Sequence, residues 1–279
     1  MVRSLVFFAA VLCVLLSSIG GADELPLWEA GFGGTGLSMP DYRGSDEQRG
    51  YVFPMPYVVY RGDILRWDRK GMYGLLLESD RAQLNISVDA AVPAKSERNK
   101  ARSGMRDLDA TVQIGPSLEI CLYTNCESDR VVQIRLPVRA VIATDFSRAY
   151  GIGFVANPQL NFDFKNLGPD RRWNFGFALG PLYATEQYHD FYYEVSSQYE
   201  LAGVRPAYDA PGGYSGFVLV LAVSKRFDNV WFGAFGRYDR LDGAVFADSP
   251  LVRRSYSSMA GFGIAWVFGE SHTMVHAAQ

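Results

Sequence analysis

Few residues in this 279-residue chain have the types and spacing that chemistry requires. His189-Asp190 with Glu194 sets an imidazole beside two carboxylates, the materials of an acid/base cluster. A lone histidine in a Tyr-rich connection reads more simply as a solvated loop residue, and no nucleophile–base pair accompanies it. His272 and His276 lie four apart, a spacing that shares a metal on one helix face, but the tail around them is polar and reads as disordered. Gly31, Gly33, Gly34 and Gly36 lack the lysine of a phosphate loop and suit a crowded inner face better. Arg61-Gly62-Asp63 has the form of an adhesion tripeptide, and its glycine is equally what a tight turn needs. Cys121 and Cys126, with four residues between them, read as a local disulfide in an exported chain. No histidine lies near enough in sequence to make them a metal pair. No catalytic residue and no cofactor is expected.

The charges with the strongest claim to a site are Glu29, Asp89, Glu119, Arg135, Arg139, Asp163 and Arg237. Each sits in a set of small or polar residues that alternates with an apolar set. Such alternation marks a strand with one greasy and one wet face. In Gly151 to Lys165 the apolar set is Ile152, Phe154, Ala156, Pro158, Leu160, Phe162 and Phe164. The pattern fills 82–92, 110–122 and 132–142, and returns near 28–35, 173–180, 218–227, 230–238 and 261–268. The 151–165 run exceeds the usual soluble strand of about 5–6 residues and suits a tilted membrane strand of about 9–11 with overhang.

The expected fold is therefore all-β: a transmembrane, antiparallel, up-and-down β-barrel of about twelve strands. Taken alternately, the connections are long at 38–50, 93–107, 143–150, 187–213 and 241–256 and mostly short between. Long extracellular loops and short periplasmic turns are the habit of such barrels. A soluble sandwich or lipocalin-like barrel shares the alternation with its faces reversed. Strand length, the small-residue second face and aromatics near strand ends favour the membrane. Tyr60, Trp67, Tyr73, Tyr123, Trp173, Tyr183, Trp231, Tyr238, Trp266 and Phe268 are the expected interfacial girdles.

In this barrel the seven charges face the lumen, where they are tolerable only if hydrated or paired. Two arrangements follow: a salt-bridged interior with no open pore, or a narrow channel for small polar solutes. Similar numbers of carboxylates and arginines favour the first.

Residues 1–22 read as a secretory signal peptide, with Arg3 before an apolar Leu5–Leu16 core and small residues at Gly20-Gly21-Ala22. That core is too short for a membrane helix of about 20 residues. The barrel is assigned 23–268, ending on Phe268, and 269–279 a C-terminal periplasmic extension. A net charge of −3 without a basic patch excludes nucleic acid as a partner.

The segments Met39-Pro-Asp-Tyr-Arg-Gly-Ser-Asp46, Pro54-Met-Pro-Tyr57 and Tyr60-Arg-Gly-Asp63 resemble the MltA-interacting protein (MipA/OmpV) family. So do Gly212-Gly-Tyr214, Gly233-Ala-Phe-Gly-Arg-Tyr-Asp239 and the run from Leu241 to Leu251. The resemblance spans nearly the whole mature chain and implies a Gram-negative outer-membrane barrel in contact with outer-membrane lipid. It also implies a non-enzymatic scaffold for periplasmic murein enzymes, a murein transglycosylase and a murein synthase, as described for the founding member. Other members are linked to adhesion or antibiotic response, so a surface adhesin and a solute channel or transporter stand as alternatives.

Overall fold

A computed structural model describes residues 24–276 apart from 62–64, 69–70, 80, 124–125, 127 and 146. The expected signal peptide and the Gly62-Asp63 part of the tripeptide lie outside the described residues. Strand takes 63% and helix 6% of the chain, so the fold is all-β as expected. In chain order the strands are β1 (Glu24–Pro26), β2 (Trp28–Pro40), β3 (Gln48–Arg61), β4 (Leu65–Asp68) and β5 (Gly71–Ser79). They continue with β6 (Ala82–Ala91), β7 (Ala110–Cys121), β8 (Arg130–Thr144), β9 (Ala149–Ala156) and β10 (Gln159–Leu167). The last are β11 (Trp173–Ala184), β12 (Gly213–Phe227), β13 (Val230–Arg240), β14 (Tyr256–Glu270) and β15 (Met274–His276), with one helix, α1 (Glu186–Tyr193), before β12.

From β2 to β14 sequential neighbours pair antiparallel, apart from β9 and β10, which follow each other along one path between β8 and β11; β14 also pairs with β2. The succession of pairs therefore returns to its start. With β9 and β10 taken as one, the sheet has eleven long strands and the short β4.

The expected single strand over 151–165 is thus interrupted in two ways. Pro158 has no N–H, which breaks the ladder locally, while Asn157 still donates its backbone N–H to Pro137 O at 3.3 Å. At Gly153, with φ +103°, the register against β8 shifts by one residue between Ala140 and Ile142. Two residues then oppose one, as in a β-bulge, and the faces exchange. Ile152, expected on the outer face with Phe154, is buried inside, whereas Phe154 is exposed.

Burial decides between the two families of β fold. On β7, Val112, Ile114 and Leu118 are exposed, while Thr111, Gln113, Ser117 and Glu119 are buried. The same inversion holds on β14, where Phe262, Ile264, Trp266 and Phe268 face outward and Ala265 and Val267 face in. A water-soluble sheet would bury the first set and expose the second, so this wall is built for an apolar surround. Trp231, expected in a girdle, points instead into the lumen: its ring lies 5.6 Å from that of Tyr57 and covers Gly233. The glycines opposite leave room for it. The side chains of Trp67 and Tyr73 lie outside the described residues.

Antiparallel order puts the connections 41–47, 92–109, 145–148, 185–212 and 241–255 at one end and the short turns at the other. The two ends of the described residues meet at the turn end. There β15 pairs with β1, so part of the tail expected to be disordered is a strand.

Candidate functional site: a capped and ion-paired lumen

Strand alternation carries the seven expected charges inward, and the structure places them as follows. Near the turn end Glu29 meets Arg226 at 3.2 Å. Higher, Glu119 on β7 meets Arg135 on β8, its directly opposed residue, at 2.9 Å. Arg139 donates to Ser87 Oγ at 3.0 Å and Gln113 Oε1 at 3.2 Å, with Asp89 at 3.9 Å. Asp163 lies beside Gly176, its opposed residue on β11. Nearest the loops Arg237 binds both oxygens of Asp239 at 2.8 Å, and Arg43 Nε reaches the same carboxylate at 2.9 Å. Burial of a charge is costly unless it is paired; the partner comes from the opposed strand for Glu119, from two residues along the same strand for Arg237, and from a strand that is not a neighbour for Glu29. Sequence reading missed Asp239, Arg226 and Arg43. Asp239 stands on the same inward set of β13 as Arg237, a signal that was present; Arg226 lies on β12, whose near-continuous apolar run shows no clear alternation, and Arg43 comes from a connection, where no period applies.

The feature that alternation does not show is a cap. Four connections share one buried core: Tyr42 from 41–47, Leu108 from 92–109, Tyr193 and Val195 from 185–212, and Leu241, Phe246 and Leu251 from 241–255. Tyr193 stacks on Phe246 with centroids 3.7 Å apart. Helix α1 enters the mouth itself, and its Tyr188 packs among inward residues of β8, β9, β11 and β12, including Val141, Ile152, Leu182 and Val218. Four aromatic side chains on one short helix, Tyr188, Phe191, Tyr192 and Tyr193, are a reason for it to leave water, since helices this short gain their stability from packing.

His189, expected to be solvated, is fully buried in this cap. Its Nδ1 lies 2.6 Å from Pro211 O, which only accepts, so Nδ1 carries the proton and Nε2 accepts from Ser215 Oγ at 3.1 Å. Burial pushes its pKa down, keeping the ring neutral. Arg43 continues the chain by donating to Ser215 Oγ at 3.0 Å and Ser215 O at 2.6 Å. Ser215 and His189 both have no exposed surface, so this hydroxyl–imidazole pair is a structural link. Asp190, one residue on, is pushed up to about 6 by burial and by Glu194, Asp209 and Glu186.

Two arginines staple the cap through carbonyl and hydroxyl oxygens. Arg102 donates to Tyr192 O at 2.9 Å and Ser96 Oγ at 3.3 Å, and Arg205 to Tyr199 O at 2.9 Å, Ala101 O at 2.9 Å and Ser103 O at 3.0 Å. In the stretch 39–46, Asp41 accepts from Arg49 and Asn99, and Tyr42 OH donates to Leu251 O at 2.8 Å. Gly44, with φ +88°, turns its N–H to Ser257 Oγ at 2.7 Å.

A family profile described as MltA-interacting protein MipA matches residues 32–268. The chain belongs to this family. No curated protein matches it. Membership makes the chain an outer-membrane-type β-barrel protein. Of the segments that carry the MipA resemblance, 39–46, 212–214, the end of 233–239 and 241–251 converge on the cap and the ion group beneath it, whereas 54–57 lies along β3. Cys121 and Cys126 lie at the other end of the MipA-type barrel, joined as a disulfide and packed on Val131. Among the described residues no helix is long and apolar enough to cross a membrane.

Proposed function

We propose that this chain is a non-enzymatic barrel of the outer membrane that scaffolds periplasmic murein-metabolising enzymes, a murein transglycosylase first among them, through its turn end. In this reading 1–22 directs export and the loops face outward. The observation that carries it is the cap: four connections and α1 fill the loop-side mouth with buried side chains. A barrel filled in that way offers surfaces to partners more readily than a path to solutes. The name of the matched family supports the partner class, since it describes an interaction with MltA, a murein transglycosylase. The turn end is suited to docking because exposed ion pairs that a partner can compete for link its turns: Arg171 to Asp129 at 3.0 Å, Arg172 to Asp228 at 2.7 Å and Lys225 to Asp170 at 2.8 Å. The test is a pull-down of murein enzymes from solubilised envelopes together with single-channel recording of the purified barrel. Recovery of a transglycosylase without steady conductance supports the scaffold. Steady conductance without recovery supports a channel instead.

A further inference from the structure

Adjacent cations with no anion to answer them stand at the outward rim of the loop end. Tyr238 on β13 and Tyr256 on β14 face outward, are partly exposed and stack with centroids 6.0 Å apart. The Arg254 guanidinium lies over the Tyr256 ring at 5.9 Å. Beside it is a cleft of about 260 Å³ lined by Asp242, Gly243, Val252, Arg253, Arg254 and Ser255. Both arginines are exposed. Among the described residues neither has a carboxylate within 4.0 Å, while the acidic member of the cleft, Asp242, is taken by Arg240 at 2.6 Å. Their backbone is fixed, because the N–H groups of Arg253 and Arg254 both donate to Gly44 O, at 2.8 and 3.0 Å. A stacked tyrosine pair facing outward marks where the apolar wall meets the headgroup layer. Arg254 over Tyr256 and Arg253 beside it both line the cleft, and planar guanidinium forks are suited to take a phosphate.

We infer that this cleft binds the phosphate of a lipid headgroup in the leaflet beside the loops. The inference rests on the membrane-barrel reading and adds a lipid contact to it. The wall below takes the acyl chains, the tyrosines the interface and the arginines the anion. Arg254 is held ready by Tyr256, so little side-chain freedom is lost on binding.

The test uses the folded mature chain in detergent micelles, with phosphatidic acid, phosphatidylcholine or inorganic phosphate as probes and native mass spectrometry to read what is retained. The wild type is expected to retain phosphatidic acid over phosphatidylcholine. The R253A/R254A variant is expected to lose about thirtyfold of that retention, equal to about 2 kcal/mol at about 1 kcal/mol per cation. The R253K/R254K variant, which keeps the charge and loses the planar fork, is expected to fall between the two. Equal retention by R253A/R254A, equal retention of phosphatidylcholine, or displacement by inorganic phosphate as effective as by lipid each overturns the inference. Heat-modifiable gel migration checks folding in every arm. A wild type without it takes the barrel reading down as well, whereas a folded wild type without lipid preference takes down this inference alone.

Discussion

At the loop end Phe246 stacks on Tyr193 with centroids 3.7 Å apart, and both rings are buried. At the turn end Arg172 holds Asp228 at 2.7 Å with 46% and 84% of the two side chains exposed. Both join connections that are distant in sequence, yet they are unequal in strength. Buried apolar contacts act together, since removing one leaves a cavity its neighbours cannot fill. Exposed ion pairs act singly, screened by water and weakened by the entropy of two long side chains. The loop end is therefore expected to open as one unit, and the turn end to exchange its pairs one at a time. A closed face and an adaptable face on one barrel suit a protein that seals one side and docks on the other.

The largest expected effect comes from Phe246→Ala. Truncating a fully buried aromatic costs about 3–5 kcal/mol, and the loss should fall on the cap rather than on the strand ladder. Limited proteolysis of vesicle-embedded protein is expected to cut within 185–212 and 241–255 while heat-modifiable migration persists. If those connections stay resistant, they are not one cooperative unit. Next in size is Val138→Arg on the wall between the two ends. Val138 is 49% exposed on the outer face of β8. An arginine facing lipid near the midplane costs roughly 2–4 kcal/mol, seen as a lower folded yield in vesicles. An unchanged yield would mean that this face does not meet lipid.

A smaller effect, with a definite pH sign, separates two neighbours in the cap. Asp190 has its pKa raised from 3.8 to about 6, so its ionised form destabilises the cap above that pH. This penalty is relieved as pH falls through 6 towards the unfolded value. His189 has its pKa lowered from 6.5, so the stability it gives is present above 6.5 and is lost on acidification below it. The two changes oppose each other in the wild type. Asp190→Asn should stabilise the cap at pH 8 by up to about 1 kcal/mol, after allowance for screening of a partly exposed group. The same variant should lose protection more steeply below pH 6, measured by hydrogen exchange in α1. A profile parallel to that of the wild type would show that Asp190 is not strained.

The wall was legible because its period is two and its faces differ in chemistry. Glu119 and Arg135 could be placed inward from alternation alone, though not paired, because register across strands is not written in either strand by itself. Ile152 was misplaced because one left-handed glycine, Gly153, exchanges the faces, and a glycine in an alternating run gives no sign of its φ. Trp231 was misplaced because a tryptophan near a strand end suits both a girdle and a lumen lined by glycine. The cap left no period to read. Its core is built from connections 41–47, 92–109, 185–212 and 241–255, and only their composition hinted at burial: Tyr-rich at 188–193, apolar at 244–252. For the same reason His189 looked solvated, since its partners Pro211 and Ser215 lie more than twenty residues on. The pairing of β15 with β1 joins the two ends of the described chain, a separation at which local pattern carries no information.

The smallest expected effect is the most informative about the turn end. Arg172→Ala removes one exposed pair, worth about 0–1 kcal/mol, so folded yield and the melting of the barrel should be unchanged within error. Arg172 is one of three cations, with Arg171 and Lys225, that bind acids across neighbouring turns. If these turns are a docking face, a partner must either accept the pairs as they stand or compete for them. Competition makes Arg172 matter more to binding than to folding. The expected outcome is that Arg172→Ala leaves stability alone and weakens capture of a murein transglycosylase, with the loss shrinking as salt rises because exposed charges are screened within about 8–10 Å. Equal capture by variant and wild type at low salt would remove the turn end as the docking face.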